Sequence, residues 1–580
     1  MVEPYNVGMY IARIPNRSSP PAYLLRESYR EGGKVKNRTL ANLSHLPIEQ
    51  IEQIRRVLKG ENLVSPEDAF SIQRSLPHGH VEIVLGMIRK LGLDRIIGSR
   101  RSRQRDLVVA MVAQRLLFPC SKLATTRHWH STTLAEELRV ADADENELYT
   151  ALDWLLDRQP SIEQRVGKRH LKDGALVLYD VTSSYYEGRT CPLARYGHDR
   201  DGKKDRPIIV YGVLTDAEGR PVAVDVYPGN TGDPTTVPDQ VTKLRERFEL
   251  KRVILVGDRG MLTQTQIDAL QAHPELGWIS ALRSGAIRGL LQRGELQRSL
   301  FDEVNLAEIE SPEFPGERLV ACFNPLLADE RRRKREALLA ATEKKLAKLA
   351  RQVARRTKRP MLQTEIALRA GRIVNRFKVA KHFELSIADG AFRVARHTAS
   401  IERESQLDGI YVIRTSEPAS GLSADDAVRD YKRLAEVEQA FRSLKSIDLL
   451  VRPIHHRIEE RVRAHILVCL LAYYVQWHLK RAWAPLLFED EELPRDRAVR
   501  DPVAPAEPSA SAKRKKATHR TADEFPVHSF RTLLAELATR SRHTCVPAGG
   551  TTEVTFTKLT DVTAFQAEAF RLVGLKPASH

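Results

Sequence analysis

The middle of this chain is predicted to fold as a mixed α/β domain, on three observations. Two apolar runs, ALVLYD at 175–180 and RVILVGD at 252–258, have the length of buried strands, and each ends on an aspartate. Between them lie PIIVYGVL and PVAVDVY, joined by the turn chemistry of TDAEGR, and then a helical stretch. Strand, hairpin, helix and buried strand make a mixed pattern, and a further apolar strand, DGIYVIRT at 408–415, follows a long interruption.

A chain of 580 residues is too long for one core, so several domains are expected. Lys and Arg number 92 against 75 Asp and Glu, a net charge of +17. A surplus of that size favours a polyanionic partner, most often nucleic acid, although ribosomal and membrane-surface proteins share the bias. Cys120, Cys191, Cys322, Cys469 and Cys545 are scattered with no CxxC pair. This argues against a zinc ribbon or a disulfide framework and suits a reducing cytoplasm. The start of the chain lacks the apolar core of a signal peptide, and the longest apolar run, 466–475, is too short to span a bilayer. A cytoplasmic, nucleoid-associated protein without a membrane segment is expected.

In chain order, residues 1–75 open with MYIARI, AYLLRESYR and GGKVKNRTLANL. They read as a β-hairpin with basic tips, followed by helices at 48–60 and 67–75. Residues 76–165 read as helical throughout, with Arg100, Arg101, Arg103 and Arg105 clustered between apolar helices. Short helices, a Gly-bearing turn and clustered arginines suit a DNA-binding region of helix-turn-helix type, and an ordinary bundle with a basic rim fits as well. The pairs His78/His80 and His128/His130 lack Cys or acidic partners at ligand spacing and do not suggest a metal site.

Residues 166–284 carry the first part of the α/β core, with helices expected at 235–248 and 263–272 and a strand at 278–282. Residues 285–407 break the pattern. RGLLQRGELQRSLFDEVN and ERLVACFN look strand-rich, and strand character returns around the ADG of RFKVAKHFELSIADGAFRVARH, so a mostly β insertion is expected. Within it, 330–358 is a strongly charged helix whose Leu339, Leu346, Leu349 and Val353 form a narrow seam. A solvated helix packed along one edge, a DNA contact and a short coiled coil all fit that seam. Residues 408–492 hold the second part of the core, ending in an apolar helix through Leu479. Residues 493–525, rich in Pro, Ala, Ser and charge with KRKK at 513–516, read as a linker or disordered insert, and 526–580 as a small αβ tail.

The segment 428–445, VRDYKRLAEVEQAFRSLK, reads as one amphipathic helix, capped by Ser423 with Asp426 in a capping box. Leu434, Val437, Phe441 and Leu444 make its apolar face. Tyr431, Glu438, Arg442 and Lys445 share another, with Tyr431 and Lys445 each two turns from Glu438 and Arg442 one turn away. Taken alone this is compatible with a solvated stripe carrying one ion pair. The strand-end aspartates change its meaning. An acidic residue where a strand of an α/β sheet meets a loop often faces the functional edge, although Asp258 in GDRG also suits a plain turn. Asp180, Asp258 and Glu438 together form the ligand set of a two-metal site. Hard oxygen ligands select Mg²⁺ or Mn²⁺.

The set Asp180, Asp258 and Glu438, with LVLYDVTSSYYEG, YPGNTGD, VILVGDRGM, YKRLAEVEQAFRSLK and RPIHHRIEERVRAHI, resembles the DDE transposases of bacterial insertion sequences. In particular it is similar to the insertion-sequence-four type group and its Y-R-E-K signature. There Tyr and Lys each stand seven residues from Glu, as Tyr431 and Lys445 do here. The signature Arg falls four before Glu, where this chain has Leu434, with Arg433 one position earlier. The likeness covers 174–260 and 408–480, and more loosely GGKVKNRTLANL.

This resemblance implies an RNase H-like core of mixed sheet and flanking helices, interrupted by an insertion domain in the 180-residue interval between Asp258 and Glu438. It implies two Mg²⁺ ions at the three carboxylates, an endonuclease step at the element's ends that frees a 3′-OH, and attack of that hydroxyl on target DNA. Tyr431, Arg433, Arg442, Lys445, Arg452 and Arg457 are expected to contact DNA, the basic N-terminal region to recognise terminal inverted repeats, and a homodimer to act in a synapse. A structure-specific RNase H-like nuclease and a catalytically silent DNA-binding descendant are the rivals.

Overall fold

A computed structural model of the chain describes residues 8–17, 19–61, 69–548 and 554–579. The chain divides into two units, residues 1–75 with 542–560, and residues 76–541 with 561–579.

In the smaller unit, Gly8–Ile14, Ala22–Glu31 and Lys34–Asn42 form a three-stranded antiparallel meander, one strand more than the expected hairpin. Gly32 and Gly33, both at positive φ, make the tight turn between the last two strands. Helix Ile48–Leu58 follows as expected. The helix expected at 67–75 is not found. Residues 67 and 68 lie outside the described residues, and Phe70–Pro77 is a strand in a sheet with Ser541–Pro547 and Phe556–Leu559. Phe70 and Ile72 alternate with Ser and Gln, a period of two that suits a strand better than a helix.

The larger unit is built on one mixed sheet. Its strands are β1 (Ala175–Tyr185), β2 (Ile208–Asp216), β3 (Pro221–Pro228), β4 (Val253–Val256), β5 (Leu276–Ala281), β6 (Leu306–Ile309), β7 (Arg318–Phe323) and β8 (Ile410–Thr415). They lie in the order β6-β7-β8-β5-β4-β1-β2-β3. The RNase H-like core is the part β3-β2-β1-β4-β5. An antiparallel meander lies on one side of β1, and β4 and β5 run parallel to it on the other. Parallel strands must be buried on both faces, which explains why VILV and LGWISA are almost uninterrupted apolar runs. β8 continues the sheet antiparallel beyond β5, and β7 and β6 extend it further.

The insertion is therefore divided, and it is not mostly β. Its strands β6 and β7 belong to the core sheet. RGLLQ falls in a helix, Ser284–Gln292, because Ile287 and Leu290 bury one helical face. The 31-residue helix α1 (Pro325–Arg355) and the 15-residue helix α2 (Gln363–Phe377) pack with the hairpin Phe383–Ala388/Ala391–Arg396 around a separate apolar cluster. The Leu339, Leu346, Leu349 and Val353 seam is buried in that cluster, so it is filled from within this chain.

After β8 come α3 (Ala424–Lys432), α4 (Leu434–Arg442) and α5 (Glu459–Trp483). The run 466–475 is buried within α5, and helices from the 76–165 region pack around α5 as a bundle. The arginine cluster there is largely engaged. Arg101 and Arg105 meet Asp106, and Arg103 meets Asp142 and Glu147. Residues 493–525 are not a disordered linker. Helices Leu493–Val499 and Ala510–Thr518 form there, Val503 is buried in the main core, and Lys515 is buried against Glu491 and the carbonyl of Ala484. Composition concealed this because the anchors include only one buried Val and otherwise polar residues, among them a Lys whose ammonium is buried against a carboxylate and carbonyls. The tail is not a unit of its own. Helices Phe530–Ala538 and Ala564–Leu572 pack into the larger unit, and the two strands between them join the smaller one. No single helix among the described residues is long and apolar enough to cross a membrane.

Candidate functional site

Register places the two aspartates. β1 and β4 run in parallel with Leu178 opposite Val256. Asp180 lies two residues past Leu178, and Asp258 two past Val256, so both follow the last paired residues of neighbouring strands by the same interval. β1 continues five residues beyond Asp180, so Asp180 is a mid-strand residue where the sequence suggested a strand end. Asp258 lies just past β4, as expected. Its Oδ1 accepts hydrogen bonds from the backbone N–H groups of Gly260 and Met261, at 2.9 and 2.7 Å, which fixes the turn of GDRG. The turn reading of Asp258 is therefore met.

Glu438 arrives from the other side of the sequence on α4, which packs across β1. Ser423 caps α3 as expected, accepting from the N–H of Asp426 at 3.1 Å. The Asp426 carboxylate takes the Ser423 hydroxyl, at 2.7 Å, and does not close a capping box. The single helix read at 428–445 is two helices, broken at Arg433 and followed by a wide π-turn, Ser443–Ile447. At the break Arg433 folds inward, its guanidinium on Asp430 and on the carbonyl of Ala217. The apolar face survives the break, with Val437, Phe441 and Leu444 buried. Glu438 and Arg442 are exposed, and the ion pair that a plain solvated stripe would carry between them is not formed among the described residues.

Tyr431 ties the three carboxylates together. Burial, and then the charges of Asp258, Glu438 and Asp180 against the opposing Arg259, push its phenol up to about 12. A single side chain thus senses all three acids. Burial and the neighbouring charges of Asp258 and Asp233 push the half-buried Asp180 up to about 7, against a hydrogen bond from the Val181 N–H and the Arg200 guanidinium. A carboxylate raised by burial and by a second carboxylate is a group whose charge a bound cation would relieve. The donors are all carboxylate oxygens, the hard set that suits Mg²⁺ or Mn²⁺. The expected closed cluster of three is not found: among the described residues, no three His, Cys, Asp or Glu side chains stand close enough to hold one ion.

The cations expected at DNA divide into two kinds. Arg442 and Arg457 are exposed and free of carboxylates among the described residues. Lys445 is buried, and its ammonium lies 3.0 Å from Asp201, which Arg452 also contacts. Burial lowers the Lys445 pKa and Asp201 opposes the fall. Asp201 itself is almost wholly buried and accepts the Tyr185 N–H at 3.1 Å. The loop that carries Asp201 is stitched along β1, with the Ser183 hydroxyl donating to the His198 carbonyl at 3.2 Å. The polar DVTSSYY run after Asp180 serves that attachment.

Sequence reasoning missed Arg200, Asp201, Asp233 and Arg259. Asp233 closes YPGNTGD and Arg259 follows Asp258 directly, so both were within quoted motifs. Arg200 and Asp201 sit in HDRDGKK, which has no periodicity to mark it. A cavity of about 150 Å³ adjoins the site, lined by Tyr431 and Arg259 on one side and by Leu327 and Arg331 of α1 on the other.

A family model described as the transposase DDE domain matches residues 172–475, and one described as the N-terminal domain of IS1634 family transposases matches residues 11–70. Among solved structures the chain is similar to a piggyBac transposase synaptic complex with hairpin DNA. The identity is 11% and the TM-score 0.33, over 79% of this chain and 76% of that one. A likeness at that level carries no argument about mechanism. No curated protein matches the chain.

Proposed function

Because this chain belongs to the DDE transposases, its DDE domain spanning more than half its length, we propose that Asp180, Asp258 and Glu438 are its catalytic carboxylates. In this reading they hold two Mg²⁺ or Mn²⁺ ions and cut DNA at the ends of an insertion sequence. The observation that carries the assignment is the placement of Asp180 and Asp258 at matching positions after the paired residues of neighbouring parallel strands, with the helix that carries Glu438 packed on the strand of Asp180.

Bound divalent ions would supply an activated water and charge compensation at the leaving oxygen. The chain's own part is positioning. The register of β1 against β4 sets Asp180 beside Asp258, the Asx turn of GDRG fixes one oxygen of Asp258, and the packing of α4 on β1 brings Glu438 across. In-line phosphoryl transfer places most of its demand on such positioning and on charge neutralisation. Arg442 and Arg457 are free to meet DNA phosphates. Tyr431 faces the reacting strand, and Lys445, Arg452 and Arg433 act from paired positions behind it. The spacing of Tyr431, Glu438 and Lys445 supports placement in the Y-R-E-K group. A homodimer in a synaptic complex completes the reading.

The test uses a labelled duplex of the inverted repeats that flank the gene, incubated with Mg²⁺. Expected are nicking at the repeat end and joining of a pre-cleaved 3′ end to target DNA. Cleavage without joining would favour a plain RNase H-like nuclease. Binding without metal-dependent cleavage would favour a silent descendant.

A further inference from the structure

The charge of this protein is concentrated away from its active site. Residues 325–396 hold 20 Lys and Arg against 7 Asp and Glu, so +13 of the chain's +17 lies in the α1–α2 arm of the insertion. The first half of α1 is compensated. Arg332 and Arg333 meet Asp329, Arg335 meets Asp408, and Glu336 and Glu343 meet Arg396. The second half is not. No acidic residue occurs between Glu343 and Glu365.

Lys344, Lys348, Arg351 and Arg355 recur at intervals of four, three and four, which puts them on one stripe of the helix. That stripe is opposite the buried seam of Leu346, Leu349 and Val353, and all four side chains are exposed. None of them meets a carboxylate among the described residues, and Arg351 reaches only the carbonyl of Ala347 in its own helix. A merely solvated helix typically alternates the sign of its charges. A single-sign stripe on a helix whose apolar seam is already filled has a different use.

We propose that this stripe is a clamp for the sugar-phosphate backbone of duplex DNA, engaged at a distance from the cleavage point. The proposal rests on the transposase reading above. The length of α1 gives the distance. Leu327 and Arg331, near its start, line the cavity shared with Tyr431 and Arg259. At 1.5 Å per residue, Lys344 and Arg355 lie about 20 and 36 Å along the axis from Arg331. At 3.4 Å per base pair the clamp meets DNA about 6–11 base pairs from the cut. The stripe itself is about 17 Å long, close to half a duplex turn, and reads no sequence.

The experiment measures affinity of the full chain for inverted-repeat duplexes extended stepwise on either side of the cleavage point, from 4 to about 14 base pairs. The wild type is expected to gain affinity, on one side only, as the duplex passes about 6–11 base pairs. The variant Lys344→Gln, Lys348→Gln, Arg351→Gln, Arg355→Gln loses that gain. Four phosphate contacts steepen the dependence of log K on log salt by about 3.6, so between 50 and 200 mM salt the wild type loses about 100-fold more affinity for the long duplex than the variant does. Exchanging the four residues between Lys and Arg keeps charge and helix propensity and retains the gain, which separates a clamp from a folding defect. If the wild type gains nothing with length, or the Gln variant keeps the gain, the clamp is overturned while nicking of the short duplex leaves the transposase reading intact. A wild type that binds no inverted-repeat DNA of any length overturns both. Preference for RNA over the duplex at equal length overturns DNA as the occupant.

Discussion

Asp180→Asn is expected to stabilise the metal-free protein while abolishing its activity. The ordinary carboxyl value for Asp180 is 3.8, and in the fold it is pushed up to about 7 by burial and by Asp258. Between those values the folded chain keeps a proton that the unfolded chain has released, so stability falls as pH rises through that window and the loss is complete above about 7. At 1.36 kcal/mol per unit the full shift is worth at most about 4 kcal/mol. Asp180 is half-buried and water screens part of its charge, so about 2–4 kcal/mol is the expected cost at pH 8. Asn removes the charge at nearly the same volume. In EDTA at pH 8 the variant should melt about 2–4 °C above wild type, and the gap should close below pH 4. Added Mg²⁺ should narrow the pH 8 gap from the wild-type side, since a ligand bound only by the folded state stabilises it. The assay is a set of melts at pH 4 and 8, with EDTA or Mg²⁺, beside a nicking assay. Equal melting at pH 8 in EDTA would refute the burial argument, and nicking by the variant would refute the catalytic role.

Other perturbations test the remaining parts. Glu438→Gln should leave end binding near wild type in a gel-shift assay and reduce nicking by several powers of ten, because a lost carboxylate ligand removes several kcal/mol of transition-state charge stabilisation. Substantial nicking by that variant would sink the three-carboxylate mechanism. Asp201→Ala leaves Lys445 and Arg452 without their buried counter-charge and should destabilise the core by about 3–5 kcal/mol in denaturant melts. Adding Lys445→Met should recover about 1–3 kcal/mol of that, and strict additivity would show the pair to be uncoupled. Arg442→Ala and Arg457→Ala should each lower the slope of log K against log salt for end binding by about 1, and unchanged slopes would place both residues off the DNA.

The core was legible because burial dictates residue type. Strands covered on both faces must be apolar throughout, so VILV and ALVLY stood out, and Asp180 and Asp258 follow those runs within two residues. Glu438 was legible from spacing, although the helix that carries it is broken at Arg433, because Val437, Phe441 and Leu444 hold the apolar face on the far side of the break. What stayed hidden depends on long-range partners. Lys445 looks like a free cation in sequence, and Asp201, 244 residues away, turns it into half of a buried pair. Residues 493–525 look unstructured by composition, and Val503 and Lys515 dock them. The insertion looked β-rich because RLVACF and the ADG hairpin are conspicuous. The amphipathic α2 is masked by basic residues on its exposed face.

The position of the DNA clamp depends on whether α1 is held rigidly at its base, and the base can be loosened. α1 begins one residue after β7, where Asn324 caps it by accepting from the Leu327 N–H at 3.0 Å. The chain returns beside it through Gly409, at φ +80°, where a Cβ would stand 2.7 Å from the Asn324 carbonyl. About three turns further along, Arg335 makes a two-pronged contact with Asp408, at 2.9 and 2.6 Å, both side chains about 10% exposed. Asp408 lies two residues before β8, the strand that leads to Glu438. The arm and the segment that leads to the helix of Glu438 therefore share one anchor on the core sheet. Removing the guanidinium leaves Asp408 buried and unpaired, a cost of about 3–5 kcal/mol that local loosening of the arm can relieve. Arg335→Ala should therefore broaden the length dependence of DNA binding, spreading the gain over more base pairs than the wild-type window while keeping the salt slope, since no clamp residue is lost. A length dependence as sharp as wild type would mean that the seam around Leu339 and Leu346 holds the arm without the ion pair. A lost salt slope would mean that Arg335 meets DNA itself.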